Sequence, residues 1–188
     1  STSLYIGMHY ESRMSDVITN MRRPVRMLWL NLRKPVEYLS VLPVVHLYNL
    51  RHLVIEMNYH YFTPREVSVI RGLPNLEHLE LLRPKFKGAI DFTLFEKLNT
   101  VSIHAPGKAK KPYLISMTCT LVLYGGTIPL LSEQALPSRV IHCLPLTTDA
   151  PNYVFEQCHI HSLAIMYNRV GVPYTIIVFD TERDNITY

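Results

Sequence analysis

The sequence predicts an α/β solenoid of about eight to nine stacked repeats, each contributing one short strand to a curved parallel sheet. Three observations carry this. An apolar pattern of spacing three then two recurs along the whole of the 188 residues. Its copies stand 20 to 26 residues apart, measured between Leu4, Leu28, Leu53, Leu79, Val101, Leu121, Ile141 and Leu163. The stretches between copies have room for the crossover that parallel neighbours require.

The copies follow one another in order. Ser1-x-x-Leu4-x-Ile6 and Val25-x-x-Leu28-x-Leu30 come first. Leu50-x-x-Leu53-x-Ile55, Leu76-x-x-Leu79-x-Leu81 and Leu98-x-x-Val101-x-Ile103 are the most regular. Thr118-x-x-Leu121-x-Leu123, Ser138-x-x-Ile141-x-Cys143 and Ile160-x-x-Leu163-x-Ile165 complete the clear set, and a degraded ninth lies in Thr175 to Phe179. Each core of two apolar residues around one other is a strand with alternating sides. A single unit cannot bury its apolar side alone, and stacking units in register buries a continuous core.

The first crossovers read as helices. Ser15 to Met21 has helical apolar spacing with Ser15 as cap, and Val36 to Leu42 follows Pro35 at a first turn. Thr63-Pro64-Arg65-Glu66 is a capping box before Val67 and Ile70, with Gly72 as the stop. Phe92 to Lys97 reads as a short helical turn. Beyond Ala105 the crossovers carry Pro106, Pro112, Pro129, Pro137, Pro145 and Pro151, which predicts extended or 3₁₀ segments. The first half is thus expected to be helix-backed and the second flatter, with Asp180 to Asn185 as a polar cap.

Composition sets the function classes. A hydrophobic fraction of 48% with 18% charged residues excludes disorder. No stretch approaches the eighteen apolar residues of a membrane span. Three cysteines cannot form a disulfide framework, and their odd number favours a reducing compartment, cytoplasm or nucleus. The length suits one domain over residues 1–188. Because the chain opens on Ser rather than Met, it is expected to be a fragment of something longer. The net charge is +4, with basic residues grouped at Arg22, Arg23, Arg26, Arg33 and Lys34, and again at Lys108, Lys110 and Lys111. Such groups are ordinarily solvated turns.

The repeat resembles the leucine-rich repeat family, intracellular type without cysteine caps. Leu47 to Asn58 (LYNLRHLVIEMN) matches L-x-x-L-x-L-x-x-N with Asn58 in the asparagine slot, and Leu73 to Leu82 (LPNLEHLELL) is next. Elsewhere that slot holds Arg33, Pro84, Pro106, Gly126, Leu146 and Asn168, which implies irregular turns after the strands. The resemblance implies a non-catalytic module that binds a protein through its concave sheet face. It also admits the substrate-recognition part of an F-box-type ubiquitin ligase receptor, or an RNA-associated adaptor as in messenger RNA export.

The outward strand positions supply the candidate partner-binding residues: Tyr5, Met27, Trp29, His52, Glu56, His78, Glu80, His104, Tyr124 and His142. Aromatics and Met are what interface centres favour, and Trp29 is the expected anchor. His52, His78 and Glu80 are the right chemistry for zinc, but three ligands lying flat on a sheet do not close a tetrahedron, so no metal or other cofactor is expected. No nucleophile elbow, phosphate loop, dinucleotide fingerprint or zinc-protease motif occurs, and enzyme activity is not expected. Cys143 falls in a core slot and reads as a small buried hydrophobe, while Cys119 and Cys158 lie at strand approaches. His159 and His161 read as surface at a strand approach. The first strand offers an open edge, which predicts cover by an upstream segment or by a second copy.

Overall fold

The computed structural model describes residues 2–105, 114–125, 129–145, 150–180 and 183–187, of which 145, 150–159, 179–180 and 183–187 are described as backbone only. The basic stretch Lys108 to Lys111 lies outside the described residues. One nine-stranded sheet organises the chain. Its strands are β1 (Thr2–Ile6), β2 (Val25–Asn31), β3 (His52–Glu56), β4 (His78–Leu82), β5 (Thr100–His104), β6 (Thr120–Tyr124), β7 (Arg139–Pro145), β8 (Tyr174–Asp180) and β9 (Arg183–Thr187). They lie side by side in chain order. The first eight are parallel, and β9 turns back antiparallel on β8. This is a curved α/β solenoid.

The register is what the repeat pattern requires. Leu4, Leu28, Leu53, Leu79, Val101, Leu121 and Val140 pair in one inward column. Ile6, Leu30, Ile55, Leu81, Ile103 and Leu123 pair in the next. Leu28, Leu53, Leu79, Val101 and Leu121 have no exposed surface. Burying each such side chain contributes about 1.5–3 kcal/mol against leaving it in water.

Behind the sheet the first crossovers are helical. Residues Met8–Arg13 form a 3₁₀ turn that runs into α1 (Met14–Thr19), so the helix begins one residue before Ser15, which makes no cap. The second crossover holds α2 (Pro35–Leu39), with proline in its first turn, and a 3₁₀ turn at Val44–Leu47. The third holds α3 (Pro64–Ile70), opened by the expected capping box. Thr63 Oγ1 accepts from Arg65 N, while buried Glu66 accepts from Thr63 N at 2.7 Å and from the Thr63 hydroxyl. Residues Phe92 to Lys97 form no helix; Asp91 accepts from Thr93 N at 2.8 Å and holds a turn instead.

Extended backing segments pair with one another as well. Tyr61–Phe62 lies parallel to Lys85–Phe86, and Ile90–Asp91, Leu114–Ser116 and Leu130–Leu131 form a three-stranded ladder. Phe62 is fully buried there, edge-on to Phe86 at 6.0 Å and stacked on Phe92 at 6.3 Å, and Phe95 follows Phe92 at 6.1 Å. Pro106 and Pro112 lie outside the described residues, but where the crossovers after β5 and β6 form strands, at Leu114–Ser116 and Leu130–Leu131, they are extended.

The crossover after β7 is not. It contains α4 (Ala150–Val170), a helix of 21 residues with Pro151 in its first turn. The apolar copy Ile160-x-x-Leu163-x-Ile165 is therefore helical, and Ser162, Ala164 and Met166 are not on the sheet face. A spacing of three belongs to both patterns, and the next step decides between them. Tyr167, four residues after Leu163, is fully buried with it, whereas Ile165 is half exposed. The degraded copy at Thr175 to Phe179 is the true eighth strand.

A second correction concerns β7. Leu121 pairs with Val140 and Leu123 with His142, one residue off the predicted frame, and such a slip exchanges the two faces of a strand. Val140, His142 and Leu144 point inward. His142 is fully buried, 2.7 Å from Gly125 O through Nε2 and 2.7 Å from the Tyr167 hydroxyl through Nδ1. The carbonyl can only accept, so Nε2 carries a proton, and in the neutral imidazole Nδ1 is then the acceptor for the Tyr167 hydroxyl. His142 is thus a core residue and does not lie on the outer face. Cys143 sits on the outer side opposite Tyr124, buried but outside the core column.

Left-handed residues steer the chain off successive strands. Arg83 (φ 52°), Ala105 (φ 45°) and Gly125 (φ 127°) each follow a strand directly. Their N–H groups donate to carbonyls of the next rung, those of His104, Tyr124 and Cys143 in turn. Only at Gly125 does φ reach a value that needs glycine. After β3 the turn comes one residue later, at Asn58 and Tyr59. Asn58 Nδ2 donates to Leu32 O at 3.2 Å, so this asparagine bonds a neighbouring turn.

Candidate functional site

The outer face of the sheet carries the predicted residues from β1 to β6. Tyr5, Trp29, Val54, Glu80, Ser102 and Val122 form its central column. Met27, His52, His78 and Thr100 line one side, and Glu56, Leu82, His104 and Tyr124 the other. Of the ten candidates, nine lie on this face and only His142 does not.

The polar side chains couple diagonally, each to the residue two places on in the next rung. Trp29 Nε1–H donates to Glu56 Oε1 at 2.9 Å. His52 Nε2 reaches Glu80 Oε2 at 2.7 Å, and His104 Nε2 reaches Glu80 Oε1 at 3.3 Å. Diagonal neighbours in a sheet are within reach of long side chains. An ionised carboxylate only accepts, so both imidazoles present Nε2–H to it. Glu80 is held below its ordinary value of 4.5, chiefly by the His104 hydrogen bond, with His52 adding although it stands closer, and with burial opposing both.

The rings extend this network at both ends. His52 lies edge-on to His78 at 5.6 Å, and His104 stacks on Tyr124 at 4.1 Å with 12° between the planes. Burial raises the Tyr124 hydroxyl, helped by nearby Cys143 and Glu80. Near the first strands, Tyr5 is 60% exposed and packs edge-on against Trp29 at 6.2 Å. Glu56 also meets Arg83 Nη2 at 3.5 Å, and Arg83 donates to Asn58 Oδ1 at 2.9 Å. Asn58 in turn donates to Asn31 Oδ1 at 3.0 Å. Arg83, Asn58 and Asn31 were missing from the sequence-derived set. The signal for Arg83 was its place two residues after the Leu79-x-Leu81 core.

What this arrangement can do is present a firm, mixed aromatic and polar surface. Among the described residues no group of three or more His, Cys, Asp or Glu is placed to hold a metal. Cys119 and Cys143 are buried thiols, each raised to about 11 by desolvation, and so are protonated at neutral pH. The Cys158 and His159 side chains lie outside the described residues, while His161 is exposed on α4. The first basic group is divided: Arg22, Arg23 and Arg26 flank the start of β2, and Arg33 and Lys34 follow its end. From Arg26 to Asn31 the strand spans about 17 Å at strand rise, and Arg33 lies two residues past its end. Among the described residues no helix is long and apolar enough to cross a membrane.

Glu80→Gln tests the electrostatics. The lowered carboxylate contributes stability above its unfolded value of 4.5, lost as pH falls through the lower folded value. The variant is expected to be about 1 kcal/mol less stable at neutral pH, a hydrogen-bond figure reduced for partial exposure. The two proteins should converge in acid. Urea unfolding at several pH values measures this, and a gap that stays constant into acid would assign the effect to packing.

Fold and face together define a curved parallel solenoid with an ordered, exposed sheet surface, an arrangement generally compatible with protein binding. No protein-family model, curated protein or solved structure matches this chain.

Proposed function

We propose that the chain is a leucine-rich repeat module, without catalytic activity of its own, that binds a protein partner on the outer sheet face. The observation that carries this is the Tyr5–Trp29 pair beside the diagonal Trp29–Glu56 and His52–Glu80–His104 contacts. Rings held by neighbouring rungs present contact area with little ordering left to lose on binding. Tyr and Trp are the residue types most enriched at binding hot spots. The ionisable groups of the face bond one another, which favours a recognition surface over a reaction centre. The leucine-rich repeat reading is supported by the L-x-x-L-x-L spacing, the parallel rungs and the bond from Asn58 to the preceding turn.

The test is affinity capture with the intact chain, followed by titration of the purified partner against wild type and a Tyr5→Ala/Trp29→Ala variant. Both residues are outward, so the variant should keep its circular dichroism and melting transition. Binding is expected to weaken by a hundredfold or more, as for loss of two central anchors at about 2 kcal/mol or more each. Equal affinity in the folded variant would move the site off this face.

A further inference from the structure

A second site lies at the rim where the chain enters the strands. There the backbone forms a ladder: Arg51 N donates to Arg26 O at 2.9 Å, Glu77 N to Arg51 O at 2.9 Å and Asn99 N to Glu77 O at 2.9 Å. Arg26 and Arg51 are therefore ladder neighbours, about 4.8 Å apart at strand spacing. Like charges on adjacent rungs repel. Arg51 is partly relieved by Glu77, whose Oε1 lies 3.2 Å from its Nη1. Among the described residues Arg26 has no ion pair. Both guanidinium side chains open on a cleft of about 230 Å³ lined by Arg26, Tyr48, Asn49, Arg51 and Asn75.

The far wall of the cleft is braced. Asn75 Nδ2 donates to Tyr48 O at 2.7 Å, and its Oδ1 accepts from Lys97 Nζ at 2.7 Å. The second bond brings a third cation to the margin of the cleft. Arg26 and Arg51 thus line the cleft and Lys97 reaches one of its walls, while Glu77 pairs with Arg51.

We propose that this cleft binds a phosphomonoester or pyrophosphate group. A guanidinium has five donors in a planar fork, so Arg51 keeps donors for a ligand while it holds Glu77. Paired guanidiniums match the oxygens of a tetrahedral phosphate, and the incoming charge removes the Arg26–Arg51 repulsion. The cleft is below the 300–1,000 Å³ range of drug-sized sites, which fits a phosphoryl group with few further atoms. Arg22 and Arg23 lie at the same end of β2 as the cleft, while Arg33 and Lys34 sit at the other, so a nucleic-acid strand is the competing occupant that the experiment must separate. The site is independent of the protein-binding face.

Pyrophosphate is the probe. Titration at low salt, followed by amide shifts in NMR, should give saturable binding with the largest changes at Asn49, Arg51 and Asn75. Arg26→Gln and Arg51→Gln replace exposed side chains, and each should weaken binding at least fivefold with the melting midpoint unchanged. Glu77→Gln removes the competing carboxylate and should tighten binding. Absence of saturable binding, equal affinity in both arginine variants, or equal binding of glutarate would overturn the proposal. So would a ten-nucleotide RNA that binds far more tightly than pyrophosphate and loses that advantage in Arg26→Gln, since the cleft would then be a nucleic-acid contact.

Discussion

Phe62→Ala is expected to lower the unfolding free energy by about 3–5 kcal/mol, the usual loss for a buried phenylalanine. Phe62 is fully buried behind the sheet, where its ring joins the crossover after β3 to the one after β4 through Phe86 and Phe92. The segment that carries it is only two residues long and pairs with another of two. Backbone bonds alone do not hold such a piece, so the rings fix where these crossovers lie. Urea unfolding should show a lower midpoint with an unchanged slope. Phe62→Leu should recover part of the loss. A cost below about 1 kcal/mol for Phe62→Ala would show that the backing packs without this ring.

The second large effect is at His142. His142→Ala is expected to cost about 3 kcal/mol or more, because it opens a cavity and withdraws the imidazole from two buried polar groups. Those groups are the Gly125 carbonyl and the Tyr167 hydroxyl. The bond to Tyr167 ties α4 to β7, and the bond to Gly125 ties β7 to the turn leaving β6. Tyr167→Phe should cost less, about 1–2 kcal/mol, since the ring and its stack on Tyr174 at 5.4 Å remain. In a double-mutant cycle the pair should couple by about 1–3 kcal/mol. Additive losses would mean that the two side chains act separately.

These residues also mark where the sequence was legible. From Val25 to Ile103 each rung has apolar residues at both inward positions, so only one register buries them, and strand order and facing followed directly. At β7 the pattern is ambiguous. Val140, Ile141, His142, Cys143 and Leu144 are apolar on nearly every place, and the inward polar residue is a histidine satisfied by groups 17 and 25 positions away. Nothing local shows that it belongs inside. The helix α4 was hidden because one apolar triplet serves a strand and a helix equally, and because proline near a helix start does not oppose it. The phenylalanine cluster escaped for a different reason: Phe62, Phe86 and Phe92 follow no fixed period.

The outer face was legible in composition and not in connectivity. Alternation placed Trp29, Glu56, His52, Glu80 and His104 on one side. Residues directly opposite one another were the natural pairs to consider, such as His52 with His78. The bonds instead run to the residue two places further on. Arg83 joined the face because a left-handed turn, not a strand, presents it.

Glu80 grips His52 on the rung before and His104 on the rung after. A stacked array loosens from its ends inward, each unit leaving when its contact with the next one fails. A side chain that clasps three consecutive units couples their opening, so that each is harder to part alone. The middle of this molecule is thereby given a stop against fraying, fastened at neutral pH and released in acid.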